Sequence, residues 1–292
     1  MLELRRILVP VDSSAGAEAA LHLGRYMARR RGAGAVSVVH VGESPAAARN
    51  FEDEFRERLG PGILEIPKIE FAAVTGERPA ESILRFARKD DVDMIVMGKH
   101  GSRTTDRLLT YLGAYGQVIG STAEYVVRTS RCPVILTSPR FVHGPVDVRR
   151  ILVAIDFSVY TPAAIRLGRE LRRVFDAEVE YIHVKEGPGN LDMGWRADGN
   201  NGIASHEFSV EQGLADRVIL DHVRQRGIDL LAIHSHGTTG DRRARIGHVA
   251  EKLIQAAPCS VLTVKSFGKS PVRPDDSDRE LADRMHERAG VG

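Results

Sequence analysis

The sequence predicts a doubled α/β protein, one parallel sheet-and-helix domain written twice in tandem. Three observations predict it: an internal repeat, short continuous apolar runs rich in β-branched residues, and the alternation of those runs with amphipathic stretches of helical period. The repeat is visible by eye. "RRILVPVDSSAGAEAALHLGRYMARR" from Arg5 returns as "RRILVAIDFSVYTPAAIRLGRELRR" from Arg149, and "VVHV" ending at Val41 returns as "YIHV" ending at Val184. "VDMIVMGKHG" is answered by "IDLLAIHSHG", and "STAEYVVRTSRCPVILT" by "HVAEKLIQAAPCSVLTV". The offset between copies is 144 at Asp12 and Asp156, 136 at Gly101 and Gly237, and 127 at Gly120 and Gly247. Copy one is therefore longer twice, once midway and once after Gly101.

Each element follows from its residues. "ILVPV" and "ILVAI" are apolar on both faces, as strands buried within a parallel sheet must be. Ser13 or Ser14 caps a helix in which Ala17, Ala20, Leu21, Gly24 and Ala28 recur near helical spacing, and "YTPAAIRLGRELRRVF" repeats that helix. "AVSVVHV" and "EVEYIHV" read as second strands, "PAESILRFARK" and "LADRVILDHVRQRG" as helices, "VDMIVMG" and "IDLLAIH" as strands, "PVILTS" and "SVLTVK" as last strands. The Pro and Gly of "SPRFVHGPVDV" interrupt the pattern. They set the expected boundaries: a first domain over 1–140, a linker over 141–147, a second domain over 148–267, and a polar tail over 268–292 in which "DRELADRMHERA" has helical character.

Composition bounds the function. The 292 residues carry 41 basic and 39 acidic side chains, a net charge of +2, so nothing in the bulk draws the chain to nucleic acid or a membrane surface. No apolar stretch reaches the length of a signal or membrane-spanning segment, and a cytoplasmic location is expected. Two cysteines, Cys132 and Cys259, are too few for a disulfide framework and lack metal-site spacing, so both read as buried thiols.

In a parallel sheet, ligands sit beyond the carboxyl ends of the strands. Asp12 ends the first strand and can accept from an exocyclic amine or a ribose hydroxyl. Gly98 ends the strand before a loop that enters a helix at Gly120, Ser121 and Thr122, where unpaired N–H groups, a partial positive charge and two hydroxyls suit phosphate. The same residues also suit plainer roles, the glycines as turns and Asp12 as a cap. No G-x-x-x-x-G-K-[ST] is present and no G-x-G-x-x-G follows the first strand, which removes the P-loop and dinucleotide-binding readings. His234, His236 and His248 could meet at one strand end, but with no cysteine or paired carboxylate nearby no metal site is assigned.

Taken together these residues resemble the universal stress protein family in its tandem form. The likeness rests on "ILVPVD" and "ILVAID", on "HV" closing the second strands, on the G-K-H-G and H-S-H-G turns, and on the two closing segments. It implies two Rossmann-like domains, each a five-stranded parallel sheet flanked by helices, and in the nucleotide-binding members an ATP site of pattern G-x2-G-x9-G-[S/T], with Mg2+ accompanying the triphosphate. The family's adenine-side Asp falls on Asp12, its strand-two backbone contact on Val41, and its phosphate side on Gly98, Gly101, Gly120 and Ser121, with Thr122 next. Eighteen residues instead of nine separate Gly101 from Gly120; the extra "TYLGAYGQVI" either covers the phosphates or closes the site. Copy two keeps Asp156, Gly237 and Gly247 at the nine-residue gap, yet His234 replaces the first glycine and His248 the hydroxyl, with Arg242, Arg243 and Arg245 nearby.

The expected function is thus an ATP-binding stress-response or regulatory protein with its nucleotide in copy one. The expected partners are the nucleotide, the second domain as an internal pseudo-dimer joined through the last strands, and a second chain as a homodimer. No nucleophile sits beside a base, so at most slow ATP hydrolysis is expected. Two other readings stay open, a nucleotide-free interaction protein and a sensor of another small ligand, the latter prompted by the copy-two histidines and arginines and by the long loop from Gly187 to Gln212.

Overall fold

The computed structural model describes residues 4–30, 35–59, 68–101, 119–138, 141, 146–158, 160–187, 207–235 and 246–265. They form two compact units, one built on Glu3–Asp147 with Ser260–Pro271 and the other on Val148–Cys259.

In the first unit the strands are β1 (Arg6–Pro10), β2 (Ala35–Gly42), β3 (Ile69–Thr75), β4 (Met94–Gly98) and β5 (Val134–Thr137), in the order β3-β2-β1-β4-β5 and parallel throughout. The helices are α1 (Ala15–Arg30), α2 (Pro45–Leu59), α3 (Pro79–Lys89) and α4 (Ser121–Thr129). Ile7, Leu8, Val9, Ile95 and Val96 are fully buried, as the apolar runs require; each is worth roughly 1.5 to 3 kcal/mol relative to exposure. Ser14 caps α1, its Oγ accepting the Ala17 N–H at 3.2 Å, and Ala17, Ala20, Leu21, Gly24 and Ala28 form the buried face.

The second unit repeats the plan with β6 (Arg150–Ala154), β7 (Glu178–Lys185), β8 (Phe208–Gln212) and β9 (Leu230–His234) in the parallel order β9-β6-β7-β8. Its helices are α5 (Thr161–Phe175), α6 (Ala215–Arg226) and α7 (His248–Ala256). The last strand, β10 (Ser260–Val264), belongs to the first unit, where it runs antiparallel to β5 with Leu262 opposite Ile135. Thr263 Oγ1 donates to the Val134 carbonyl at 3.2 Å, and Ser260 Oγ accepts the Ser138 N–H at 3.0 Å. The last strands of the two repeats are therefore partners.

The apolar-run reading does not single out β3, β8 or α2. β3 and β8 are partly exposed, and polar residues interrupt "FSVEQ". Their strand state comes from hydrogen bonding to β2 and β7. The stretch from Gly187 to Gln212 is thus not loop to its end, since it closes in β8. The tail, the linker residues 142–145 and most of "TYLGAYGQVI" lie outside the described residues, as does residue 159. Both cysteines are buried, as expected.

One buried carboxylate in each repeat ties the bottom of the sheet together. Asp93, just before β4, accepts the backbone N–H groups of Arg5 at 2.7 Å and Arg6 at 2.9 Å, while its own N–H donates to the Arg6 carbonyl at 3.0 Å. Asp229 does the same for Arg149 at 2.7 Å and Arg150 at 3.0 Å, with its N–H on the Arg150 carbonyl at 2.9 Å. Each fixes the register of the two central strands from their amino ends. Asp93→Ala or Asp229→Ala strips acceptors from two N–H donors and is expected to lower stability by roughly 2 kcal/mol, read from the urea midpoint at unchanged slope; an effect within error of wild type would show the clamps to be dispensable.

Candidate functional site

The carboxyl ends of β1, β2 and β4 bring most of the anticipated residues of copy one to one edge. Val11 donates its N–H to the Val39 carbonyl at 2.8 Å, carrying the β1 to β2 pairing past the strand end. Its own carbonyl lies 2.9 Å from His40 Nδ1. A carbonyl can only accept, so Nδ1 carries the proton, and the histidine of "HV" fixes the residue before Asp12. Copy two repeats this with His183 Nδ1 at 3.0 Å from the Ile155 carbonyl and the Ile155 N–H on Ile182 at 2.9 Å. Asp12 is held in turn: its Oδ1 accepts the Ser14 N–H at 3.0 Å and the Ser14 hydroxyl at 2.5 Å. Val41, half-buried, follows His40 on β2 and pairs with Val74 of β3.

The glycines divide into different roles. A Cβ on Gly101 would stand 2.7 Å from Asp12 Oδ2, so this glycine lets the loop after β4 lie directly on the Asp12 carboxylate. A Cβ on Gly98 would stand 2.8 Å from the backbone of Gly16. The bare side of Gly98 is thus taken by the start of α1, which is a packing role. Gly120 donates its N–H to the Lys99 carbonyl at 2.9 Å, closing the connection from β4 to α4, and its carbonyl takes the first helical bond from Glu124 at 2.9 Å.

Among the described residues no side chain caps the start of helix α4. The N–H groups of Ser121 and Thr122, with their hydroxyls, sit at the positive end of a nine-residue helix. Asp12, Gly101, Gly120, Ser121 and Thr122 accordingly meet around one uncapped helix terminus. An acceptor carboxylate beside the N–H groups of a helix start can hold a ligand that carries both hydrogen-bond donors and an anion.

Copy two has the same turn but different occupants. Asp156 Oδ1 accepts the Ser158 N–H at 3.0 Å, matching Asp12 and Ser14. Gly247 donates to the Ser235 carbonyl at 2.7 Å, matching Gly120 and Lys99. His248 is exposed at the head of α7, and Gly237, His236 and the three arginines lie outside the described residues. Tyr160 stands where copy one has Gly16, and its ring stacks on His234, which stands where copy one has Gly98, with centroids 6.0 Å apart. Phe157 follows Asp156 at φ 55 and packs on His183 at 4.2 Å. Among the described residues no group of three or more His, Cys, Asp or Glu side chains is placed to hold a metal ion.

The sequence reading had not singled out Gly16, His40, His183, Phe157 or Tyr160 as site-forming. The signal was present in the repeat itself: where copy one has Gly16 and Gly98, copy two has Tyr160 and His234, so both partners of one contact change together.

A doubled parallel sheet whose strand-one carboxylates, strand-two histidines and strand-four turns recur in register defines a tandem α/β protein of strand-end sites. The family model for the universal stress protein family matches residues 3–138 and 195–265. The chain belongs to that family. The universal stress protein in the QAH/OAS sulfhydrylase 3' region of Thermus aquaticus is 33% identical over 145 residues, covering 45% of this chain and 97% of the relative. In fold the chain is similar to the crystal structure of a putative universal stress protein from Pseudomonas aeruginosa UCBPP-PA14, with TM-score 0.67 at 16% identity over 97% of this chain and 98% of that one. A universal stress protein in complex with cAMP matches 47% of this chain and 98% of its own, at 19% identity and TM-score 0.35.

The half-buried imidazoles make stability depend on pH. Burial holds His234 down to about 4, against the opposing charge of Asp156. Burial also lowers His183 and, with Arg25 second, His22. Below the ordinary histidine pKa of about 6.5 the unfolded chain takes up protons that these folded sites refuse, so stability is full above that pH and falls as pH drops toward 4. His234→Phe is expected to flatten this slope between pH 6.5 and 4 in urea titrations; an unchanged slope would place the titration elsewhere.

Proposed function

We propose that the chain is an ATP-binding stress-response or regulatory protein with its nucleotide in the first copy. The observation that carries the reading is the uncapped start of α4 meeting Gly101 and the Asp12 carboxylate at one sheet edge. The N–H groups and hydroxyls of Ser121 and Thr122 would take the phosphates, with Gly101 and Gly120 giving the backbone its close turns and Gly98 letting the start of α1 pack on the end of β4. Asp12 would accept from a ribose hydroxyl or an exocyclic amine, and the Val41 backbone would border the base. Mg2+ would accompany the triphosphate and offset its charge. Asp156, Gly237 and Gly247 form the lesser candidate set in the second copy.

Among the described residues no side-chain pair is arranged as nucleophile and base, so at most slow hydrolysis is expected and binding is the proposed function. The domain limits expected from the sequence, a cytoplasmic location and a homodimer of the whole chain belong to the same proposal. The β5 to β10 pairing supports the two repeats acting as a built-in dimer. No helix among the described residues is long and apolar enough to cross a membrane.

Mass spectrometry of nucleotide released on denaturation, followed by calorimetry of ATP and Mg2+ on the emptied protein, tests the reading. One ATP per chain is expected. Asp12→Ala should weaken binding about tenfold or more, the loss of one charge-assisted bond, and Gly101→Val should do so by displacing the Asp12 carboxylate. No released nucleotide and no heat would leave an interaction protein; binding unaffected by both substitutions would put the site elsewhere.

A further inference from the structure

We infer that the strand-end site of the second copy is filled by its own side chains, and that the residue pair Tyr160 and His234, against Gly16 and Gly98 in the first copy, decides which copy can admit a ligand. The ligand class rests on the proposed function above; the closed state of copy two does not.

The argument is a comparison of one contact in two settings. In copy one the turn into α1 lies backbone against backbone on the end of β4, with room for no Cβ at Gly98 and a tight 3.0 Å from a Cβ on Gly16 to the His100 carbonyl. Nothing larger than hydrogen projects from either residue into the strand-end region. In copy two both positions carry rings, and they stack nearly parallel, 18° apart. Three hydrogen bonds of the surrounding frame recur, the Ser N–H on the aspartate, the histidine on the strand-one carbonyl and the Gly247 bond, while the turn itself differs at Phe157, whose φ is 55. Rings at both positions rule out the backbone-on-backbone contact of copy one, so in copy two the end of β9 meets the turn into α5 through side chains.

A third ring closes the other side. In copy one the strand-two histidine is covered by Phe51 of α2, at 3.7 Å, which leaves the small Ser13 beside Asp12. In copy two the cover is Phe157, which springs from the position beside Asp156 itself and also meets Phe208 edge-on at 6.2 Å. Phe157 does this at φ 55, a left-handed conformation that is unfavourable for a bulky residue and persists only when packing holds it. Asp156 shows the outcome. Its Oδ2 is buried and has no hydrogen-bond partner among the described residues.

The test swaps the pair. Tyr160→Gly with His234→Gly, and the milder Tyr160→Ala with His234→Ala as a guard against misfolding, are titrated with ATP and Mg2+ by equilibrium dialysis beside wild type. In each variant the His183 imidazole is also titrated by NMR, a readout that needs no nucleotide. Opening the site should raise stoichiometry from one ATP per chain to two and bring the His183 pKa up toward the free value as water reaches it. Gly16→Tyr in the first copy should abolish the first equivalent while the fold, read by circular dichroism, stays intact. If wild type binds one ATP and neither opened variant binds a second, the pair does not govern admission and the inference fails. If wild type binds none, the proposed function fails; a risen His183 pKa in the opened variants then still upholds the closed site, and an unmoved one overturns it.

Discussion

The contact between the start of α1 and the end of β4 governs what each copy can be. Gly16 and Gly98 meet with no side chain between them, so the helix that follows β1 reaches the loop that follows β4. That approach brings the Asp12 turn to Gly101 and, through the Lys99 to Gly120 bond, to the head of α4. Three segments far apart in sequence thereby share one edge. Where the same two positions carry rings, the edge is still built but its interior is spent on stacking.

Two kinds of anchor hold that edge in place, and both are duplicated. At the amino ends of the central strands, Asp93 and Asp229 collect backbone N–H groups. At the carboxyl ends, His40 and His183 donate to the residue just before the strand-one aspartate. A polar group buried in a sheet is costly unless bonded, so these side chains set register as well as stability. Their recurrence explains why Asp12 and Asp156 hold the same place at the strand end although Phe157 stands for Ser13, at φ 55, and Tyr160 for Gly16.

The antiparallel seat of β10 on β5 gives the doubling its structural sense. The outer edge of β5 would otherwise present unpaired backbone groups, which invite association with other chains. Covering it with the equivalent strand of the second repeat satisfies those groups within one polypeptide. The Ser260 hydroxyl on the Ser138 N–H and the Thr263 hydroxyl on the Val134 carbonyl finish the seam.

The sequence alone determined the doubling and the succession of buried strands and helices along the chain, because these rest on local chemistry, β-branched runs and helical spacing; it left Ser13 and Ser14 both open as the α1 cap, which the structure assigns to Ser14. It also brought Asp12, Gly101, Gly120 and Ser121 into one short roster of candidates. It could not assign β3 and β8, whose partly exposed residues become strand through hydrogen bonds to a neighbour. Nor could it separate Gly98, whose bare side α1 uses for packing, from Gly101, whose bare side receives the Asp12 carboxylate. Those distinctions depend on which backbone passes within 3 Å of which glycine. Distance of that kind arises only when helices and strands remote in the chain are packed together.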